Sequence, residues 1–380
     1  MKRILAVKLA DLGDLLSVTP ALRALRNGHP DAYIAALVTP SSAGILAGST
    51  AIDKVIPFQK ALFDRPLAAP RSAHLALELA RELRAGAWDA LVLFHHLTTP
   101  FGVAKYAALA LASGAPIRAG VDNGRGWFLT RRVADGGFGA RHEVDYWLAV
   151  AQTLGGHNAD PRPEIVVTEA DRDWARSVFT ENDLQRGAFA VVHPGAGAFS
   201  LARRWPVERF GAVARTLADA HDLDVVVLRG PAPDELELAQ HVASEPSAHG
   251  RAMRVIGPAP TPSSLVALFE HARVFVGNDS GVMHLASAAR APIVAIFGPS
   301  NDRAWAPYPP AAPRHAVVRE QLACTPCIHR EHRLGTPAGC AARTCLDLIE
   351  PSDVLAALDR VLAATAPASS QRTVALSGAP

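Results

Sequence analysis

The strongest candidate for a binding site is the segment Gly277-Asn-Asp-Ser-Gly-Val-Met-His284. Asp279 or Ser280 can cap the alanine-rich helix predicted to follow, and Gly281 allows unusual backbone angles. The unpaired N–H groups and the positive dipole end of such a helix favour an anion. His284 lies about one turn into the helix, on the side of Ser280 and Gly281, and can reach the same ligand. The segment therefore predicts an anion site, although an ordinary strand-to-helix turn has the same spacing.

Two segments rich in β-branched residues, 274–276 and 293–297, flank this helix. A strand, a helix and a second strand in this order form a βαβ unit with buried strands. Open sheets of this kind bind ligands in the crevice at the carboxyl ends of their strands. The same alternation predicts further strands at residues 4–7, 32–38, 55–58, 90–94, 188–192 and 224–228. The sequence therefore predicts an α/β fold with parallel sheets covered by helices on both faces.

Length and charge restrict the function further. The 380 residues are enough for two or three domains with substantial cores. Lys and Arg number 38 against 36 Asp and Glu, so the net charge is near zero and we expect no nucleic-acid partner. Lys8, Asp11 and Asp14 interrupt the first apolar run, which predicts a strand rather than a signal peptide. No apolar stretch has the length of a membrane span, and we expect a cytoplasmic protein.

The first half has a predicted helix over residues 14–26 and a less regular region, rich in His and Arg, over residues 95–142. Loops that follow strand ends concentrate binding residues. His95, Lys105 and Arg125 are the candidates here for contact with an acidic acceptor. Solvent-exposed charges without a ligand are the plain alternative.

The second half restarts the alternation of strands and helices after a linker that contains Gly and Pro. Its first strand continues into His193-Pro-Gly-Ala-Gly197, a tight turn that contains Gly195 and Ala196. This turn lacks the final glycine and the downstream acid of a dinucleotide fingerprint, which argues against a nicotinamide cofactor. Arg203 then precedes a helix whose first turn can hold Pro206.

Four cysteines are concentrated near the C-terminus as Cys324-x2-Cys327 and Cys340-x4-Cys345, with His329 and His332 between the pairs. Two close pairs suit a tetrahedral thiolate site for a structural metal ion. Free buried thiols, disulfides and redox-labile pairs are also compatible with this spacing.

Four motifs occur in a fixed order along the chain. They are Leu12-Gly-Asp-Leu-Leu16 with Thr19-Pro-Ala-Leu-Arg-Ala-Leu-Arg26, His193-Pro-Gly-Ala196, Arg203-Arg-Trp-Pro206, and Gly277-Asn-Asp-Ser-Gly-Val-Met-His-Leu-Ala286 with Phe297-Gly-Pro299. Each motif is weak alone, but the ordered combination resembles glycosyltransferase family 9, the ADP-heptose–lipopolysaccharide heptosyltransferases. The resemblance extends from residue 2 to about residue 360.

The resemblance implies the GT-B architecture, in which two Rossmann-like parallel-sheet domains face each other across a cleft. Residues 1–160 would then form the acceptor-binding domain, 161–187 a linker region and 188–350 the nucleotide-sugar-binding domain. We expect a C-terminal helix over residues 351–365 and a disordered tail over residues 366–380, which are rich in Ala, Ser and Pro. The resemblance also implies transfer with inversion and no cofactor or metal ion for catalysis.

Individual residues match functional positions of the family. Asp14 matches the family's catalytic base. An inverting transfer needs a carboxylate near the acceptor hydroxyl, opposite the leaving diphosphate. Arg203 matches the family's phosphate-contacting lysine, and its guanidinium fork suits phosphate oxygens. Glu235 matches the acid that hydrogen-bonds the ribose. The plain alternatives are a helix N-cap for Asp14 and an exposed first-turn carboxylate for Glu235. The remaining donor contacts that the resemblance implies are main-chain groups of Gly195, Ala196, Asp279, Ser280 and Gly281, with His284 assisting.

These expectations describe a transferase that moves heptose from ADP-heptose to an inner-core lipopolysaccharide acceptor, in transient contact with the inner face of the cytoplasmic membrane. The nearest competing hypothesis is a family member with a different nucleotide-sugar or a protein acceptor, since the cysteine cluster occurs in some relatives that glycosylate proteins. A GT-B-like sugar-nucleotide epimerase and a non-catalytic nucleotide-sugar binder are also compatible with the expected fold.

Overall fold

A six-stranded parallel sheet forms the centre of the N-terminal half, in a computed structural model that describes residues 1–59, 70–197, 199–251, 253–330 and 335–366. Its strands are β1 (Arg3–Lys8), β2 (Tyr33–Val38), β3 (Lys54–Pro57), β4 (Ala90–Leu93), β5 (Ile117–Asp122) and β6 (Arg131–Ala134). They lie in the order β3-β2-β1-β4-β5-β6. The central strands β1 and β4 are rich in Leu, Val and Ala and buried on both faces, as expected for a parallel sheet covered by helices.

Helices connect these strands. They are α1 (Leu12–Leu16), α2 (Thr19–Gly28), α3 (Pro70–Ala85), α4 (Pro100–Ala112) and α5 (Glu143–Gln152). The single helix predicted over residues 14–26 is wrong, because α1 ends before α2 begins. Pro20 lacks an N–H group, and in a continuous helix its ring would clash with the carbonyl of Leu16. In the first turn of α2, by contrast, Pro20 is well tolerated.

The second half repeats this arrangement with the strands β7 (Phe189–His193), β8 (Asp224–Leu228), β9 (Met253–Ile256), β10 (Val274–Asn278), β11 (Ile293–Ile296) and β12 (His315–Val318). Their order, β9-β8-β7-β10-β11-β12, is that of the first sheet. The helices are α6 (Glu169–Glu181), α7 (Val207–Asp219), α8 (Pro233–Ala243), α9 (Pro262–Phe269), α10 (Gly281–Ala288), α11 (Asp302–Trp305), α12 (Thr344–Asp347) and α13 (Pro351–Ala364). The expected α/β fold with two Rossmann-like sheets is confirmed.

The region 95–142 is more regular than expected, since it contains α4, β5 and β6. The expectation of an irregular region is therefore wrong. Helix α4 is rich in alanine and largely apolar, so it shows no clear amphipathic pattern. Strand β6 is a short edge strand in which three of four residues are exposed. It therefore lacks the apolar run by which a buried strand is recognised in a sequence.

Helix α6 lies within residues 161–187 and packs on α9 of the second half. Thr168 and Asp171 form a capping box at its N-terminus. The Asp171 carboxylate also accepts hydrogen bonds from the hydroxyls of Thr261 and Ser264, at 2.6 and 2.7 Å. Helix α6 is thereby attached to the N-terminus of α9.

Two sequence features, His332 and the tail from residue 367 onward, lie outside the described residues. Among the described residues, no helix combines the length and the apolar composition needed to cross a membrane.

Candidate active site

The two halves are in contact where the N-termini of α1 and α10 meet. A Cβ atom added to Gly13 would lie 2.8 Å from Cδ2 of His284 and 3.5 Å from Cα of Gly281. Real Cβ atoms do not approach other atoms at the first of these distances, so the contact requires a glycine at position 13. The start of α1, which carries Asp14, is therefore held against the anion-binding segment predicted from the sequence.

Asp14 lies in the first turn of α1, with a side chain that is 31% exposed. Its Oδ1 is 3.5 Å from Nζ of the buried Lys8. The Lys8 ammonium also lies 4.4 Å from the ring centroid of Trp147, a favourable cation–π distance. The N-cap of α1 is Asp11, so Asp14 does not have the capping role that was its plain alternative. Lys8 thus orients a carboxylate that remains open to solvent.

Arg203 joins two segments of the second half. Its Nη1 lies 3.3 Å from Oδ2 of Asp279, and its Nη2 donates a 2.7 Å hydrogen bond to the carbonyl of Ala196. The guanidinium therefore connects the Gly195-Ala196 turn to the start of α10. A cation fixed in this way is suited to an incoming phosphate, because little conformational freedom is lost on binding.

The N-terminus of α10 presents backbone donors. Ser280 is the N-cap, and its hydroxyl accepts from the amide of Met283 at 3.3 Å. The amide of Asp279 donates to the carbonyl of Ile296 at 3.1 Å, so this N–H group is already paired within the second half. Within the described part of the chain, the amides of Ser280 and Gly281 have no acceptor. Both remain suited to an anion.

Asn278 is a positioning residue that sequence reasoning missed. It is fully buried, and its Nδ2 donates to the carbonyls of Pro194 and Gly195, at 2.9 and 3.2 Å. Its Oδ1 accepts from the amide of Trp205 at 3.0 Å. One side chain thus fastens the turn after β7 and the segment after Arg203 to the end of β10. The signal that could have identified Asn278 in the sequence is its place inside the motif that precedes α10.

Glu235 is buried, with 6% exposure, so its plain alternative as an exposed carboxylate does not hold. A Cβ atom on Gly195 would lie 2.6 Å from its Oε1, and one on Gly230 would collide with its Oε2. The two glycines therefore make room for this carboxylate. Arg204 lies alongside, with Nη2 3.8 Å from Oε1.

His284 faces the junction from α10, with its ring centroid 6.5 Å from that of Trp305. Burial lowers the pKa of His284 to about 4, although the carboxylates of Asp279 and Asp14 act in the opposite direction. The imidazole is therefore neutral at physiological pH. It can donate one hydrogen bond and accept another, but it does not supply a positive charge.

The three candidate acceptor contacts lie around the loop that follows β4. The ring of His95 is 4.6 Å from that of Tyr106, and Nζ of Lys105 is 5.7 Å from the same Tyr106 ring. Arg125 donates from its guanidinium to the carbonyl of Thr98. The structure therefore brings the three together around one loop, at the carboxyl edge of the first sheet.

A buried charged group near this loop was also missed. Nδ1 of His96 lies 2.8 Å from Oδ2 of Asp135, and its Nε2 lies 3.1 Å from Oε1 of Glu143. Burial alone would lower the pKa of His96, but the charge of Glu143 and the hydrogen bond that the His96 ring donates to Asp135 raise it to about 9. The protonated ring fixes the two ends of the segment 135–143.

The segment 135–143 touches the second half. The carbonyl of Phe138 accepts a 2.9 Å hydrogen bond from Nδ2 of Asn301. At its end, Nε2 of His142 lies 2.9 Å from the carbonyl of Ala306. The His96 group therefore supports a direct connection between the two halves.

The four cysteines are free thiols. Cys345 is buried, and burial together with the other three thiols raises its pKa to about 11. Among the described residues, no group of three or more His, Cys, Asp or Glu side chains is arranged to hold a metal ion. The hypothesis of a structural metal ion therefore gains no support from the structure.

Two Rossmann-like parallel-sheet domains that meet at Asp14 and at the N-terminus of α10 form the GT-B architecture. The sequence profile of glycosyltransferase family 9 (heptosyltransferase) matches residues 76–337, and the chain belongs to this family. The predicted family membership and the predicted glycosyltransferase activity are both confirmed.

Related proteins include lipopolysaccharide core heptosyltransferase OpsX of Haemophilus influenzae, which is 22% identical over 81% of this chain and 82% of its own length. Among solved structures, a family 9 glycosyltransferase from Veillonella parvula matches with a TM-score of 0.74 and 23% identity, covering 95% of this chain and 97% of the other. The E. coli ADP-heptose lipopolysaccharide heptosyltransferase II matches with a TM-score of 0.66 and 22% identity, covering 96% and 99%. At these identities the solved structures support the fold.

Proposed function

We propose that the chain transfers heptose from ADP-heptose to an inner-core sugar of lipopolysaccharide, with inversion and without a metal ion. One observation carries the proposal. Gly13, the residue before Asp14, packs against the N-terminus of α10, where Arg203 and the unpaired amides of Ser280 and Gly281 can bind an anion. A sugar bonded to a phosphate there has a carboxylate within reach on its other side. The names of the related heptosyltransferases support the choice of donor and acceptor.

On the acceptor side, Asp14 accepts the proton of the attacking hydroxyl. General-base assistance of this kind contributes about 10²- to 10⁴-fold to a rate. Lys8 holds the carboxylate in place from the buried side, so that its exposed side faces the acceptor. The hydroxyl oxygen then forms the new bond to the anomeric carbon as the bond to the diphosphate breaks.

On the donor side, the leaving diphosphate gains negative charge as its bond to the sugar breaks. Arg203 and the amides of Ser280 and Gly281 stabilise this charge without rearranging. The neutral His284 adds a hydrogen bond, and Glu235 accepts one from a ribose hydroxyl. Gly195 and Ala196 offer main-chain groups to the phosphates.

The acceptor approaches past the loop that follows β4, where His95, Lys105 and Arg125 suit acidic groups of a lipopolysaccharide core. Phe101 and Trp127 are 54% and 65% exposed, and Lys105 lies 5.7 Å from the Phe101 ring. Exposed aromatic rings beside basic residues are typical of surfaces that touch a membrane. We therefore place the reaction at the cytoplasmic face of the inner membrane.

The test is to incubate the purified protein with a panel of nucleotide-sugars, each with and without core-sugar and protein acceptors. We expect turnover with ADP-heptose and a core acceptor, detected as ADP release and as a mass increase of one heptose. Turnover only with another nucleotide-sugar, or only with a protein acceptor, would show that the donor or acceptor is misassigned. Conversion of the donor in the absence of acceptor would identify an epimerase.

The same assay tests metal independence. Protein that has been treated with a chelator and then dialysed is expected to retain its turnover within about twofold, because positive charge at the phosphates comes from Arg203 and from α10. Loss of activity that added metal ions restore would contradict this part of the proposal.

A further inference from the structure

The segment between the two cysteine pairs brings one histidine to the cleft. The amides of Cys327 and Ile328 both donate to the carbonyl of Pro299, at 2.9 and 3.0 Å, and Ile328 is fully buried. The segment is thereby fixed to the turn after β11. The next residue, His329, has a φ angle of +52°, in the left-handed region that non-glycine residues seldom adopt. Such conformations concentrate at functional sites.

The His329 ring lies among aromatic side chains from both halves. It stacks on Phe199 with centroids 5.2 Å apart and an interplanar angle of 17°. Trp305 of the second half lies at 5.9 Å, and Phe138 of the first half at 5.1 Å. His329 is therefore at the boundary between the domains, beside the phosphate-binding arrangement.

The charges around His329 place it close to the reaction centre. Burial lowers its pKa, and the carboxylates of Asp14, Asp279 and Glu143 oppose this effect, while Arg203 adds to it. One side chain is thus within electrostatic reach of both the proposed base and the proposed phosphate contact. The transferred sugar must lie between these two groups.

One polar atom of His329 awaits a partner. Its Nδ1 is shielded from solvent and has no hydrogen-bond partner within the described ranges of the chain. Buried polar atoms are almost always paired, and an unpaired one weakens the protein unless a ligand completes it. A sugar hydroxyl is a suitable partner, and the neighbouring rings can pack against the apolar face of a sugar.

We propose that His329 is a specificity-determining residue that contacts the transferred sugar through Nδ1, with Phe199 and Trp305 as the walls of the sugar pocket. The inference rests on the proposed function, since it takes the donor to be a nucleotide-sugar held by Arg203 and α10. It assigns a role in sugar recognition to the segment that carries the cysteines.

The test compares binding of ADP with binding of ADP-heptose by calorimetry. His329→Phe keeps an aromatic ring but removes the polar atoms, and it is expected to weaken ADP-heptose binding roughly tenfold, with ADP binding unchanged within about twofold. His329→Asn keeps a short hydrogen-bonding side chain and should recover part of the loss. His315→Phe is a matched control. His315 also has a buried unpartnered Nδ1, but it lies at the amino end of β12, away from the cleft.

Equal weakening of ADP and ADP-heptose in both His329 variants would show a structural role and would overturn the inference. Unchanged binding of ADP-heptose would overturn it too. If His329→Phe fails to fold, as judged by its thermal unfolding, the His329→Asn variant decides the question by the ratio of the two dissociation constants.

The wild-type protein separates this inference from the proposed function. If the wild type turns over ADP-heptose but His329→Phe keeps the wild-type ratio of the two constants, only the inference fails. If the wild type turns over another nucleotide-sugar, that donor and its nucleotide replace ADP-heptose and ADP in the binding test. If it turns over none, the proposed function fails and the inference fails with it.

Discussion

The two halves of the molecule have the same strand order but contribute different groups where they meet. In the first half, the loop after β1 leads to Asp14, a carboxylate. In the second half, the segments after β7 and β10 provide Arg203 and the free amides of α10. Each half alone is an ordinary Rossmann-like sheet with helices at the carboxyl ends of its strands.

The comparison shows that the shared topology fixes positions, while the loop side chains decide the chemistry at those positions. Ser280 caps α10, and Thr99 caps α4 in the equivalent position of the first half. Of these two helices, only α10 has an arginine and an aspartate joined beside its N-terminus. The difference predicts that variants in the first half mainly affect the transfer step, and variants in the second half mainly affect the donor.

The largest effect is expected for Asp14→Asn. Without a base, kcat should fall by about 10²- to 10⁴-fold, while the dissociation constant for ADP-heptose stays within about twofold of wild type. Steady-state kinetics and calorimetry measure the two quantities. Asp31→Asn, at an exposed position of the same half, is the control and should leave both unchanged. If donor affinity falls as much as kcat, the division of roles between the halves is wrong.

The next effect concerns Arg203. Arg203→Met should lower kcat/KM roughly 10²-fold, because the leaving diphosphate loses its fixed cation. Arg203→Lys keeps the charge but loses the two-pronged geometry, and it should lie between the wild type and Arg203→Met. Arg215→Met, on the outer surface of α7, is the matched control. Equal activity of Arg203→Met and the control would rule out the phosphate role.

A third prediction tests the support of the first half by His96. The pKa of His96 in the folded protein is about 9, above the ordinary value of 6.5. The charged ring therefore stabilises the fold fully below pH 6.5, and this stabilisation is lost as the pH rises toward 9. The free energy of unfolding should fall across this window by at most about 3 kcal/mol more in the wild type than in His96→Gln. Denaturant unfolding at several pH values measures the difference.

The control for this experiment is His74→Gln, at an exposed position of α3, which should keep the wild-type pH dependence. If the free energies of unfolding of the wild type and of His96→Gln change with pH in parallel, His96 is not charged in the folded protein.

The smallest effect is expected for Gly230→Ala in the second half. The added methyl group would push the Glu235 carboxylate from its position, and the dissociation constant for ADP should rise roughly tenfold. Gly44→Ala is the control, because a Cβ atom there meets nothing closer than 3.8 Å. Unchanged ADP affinity in Gly230→Ala would show that Glu235 does not contact the donor.

The sequence was sufficient to predict the α/β fold, because buried parallel strands produce apolar runs that alternate with helices. It did not separate α1 from α2, since the apolar periodicity continues through Ser17 and only Pro20 marks the break. Asn278 and His96 could not be assigned either. Their partners, such as Trp205 and Glu143, are 73 and 47 residues away, and only folding brings them together.

The most direct test of the account is a crystal structure of the wild-type protein with ADP-heptose. We predict that the diphosphate contacts Arg203 and the amides of Ser280 and Gly281, and that Asp14 faces the anomeric carbon from the side opposite the diphosphate. A diphosphate bound elsewhere, or Asp14 turned away from the anomeric carbon, would contradict the account.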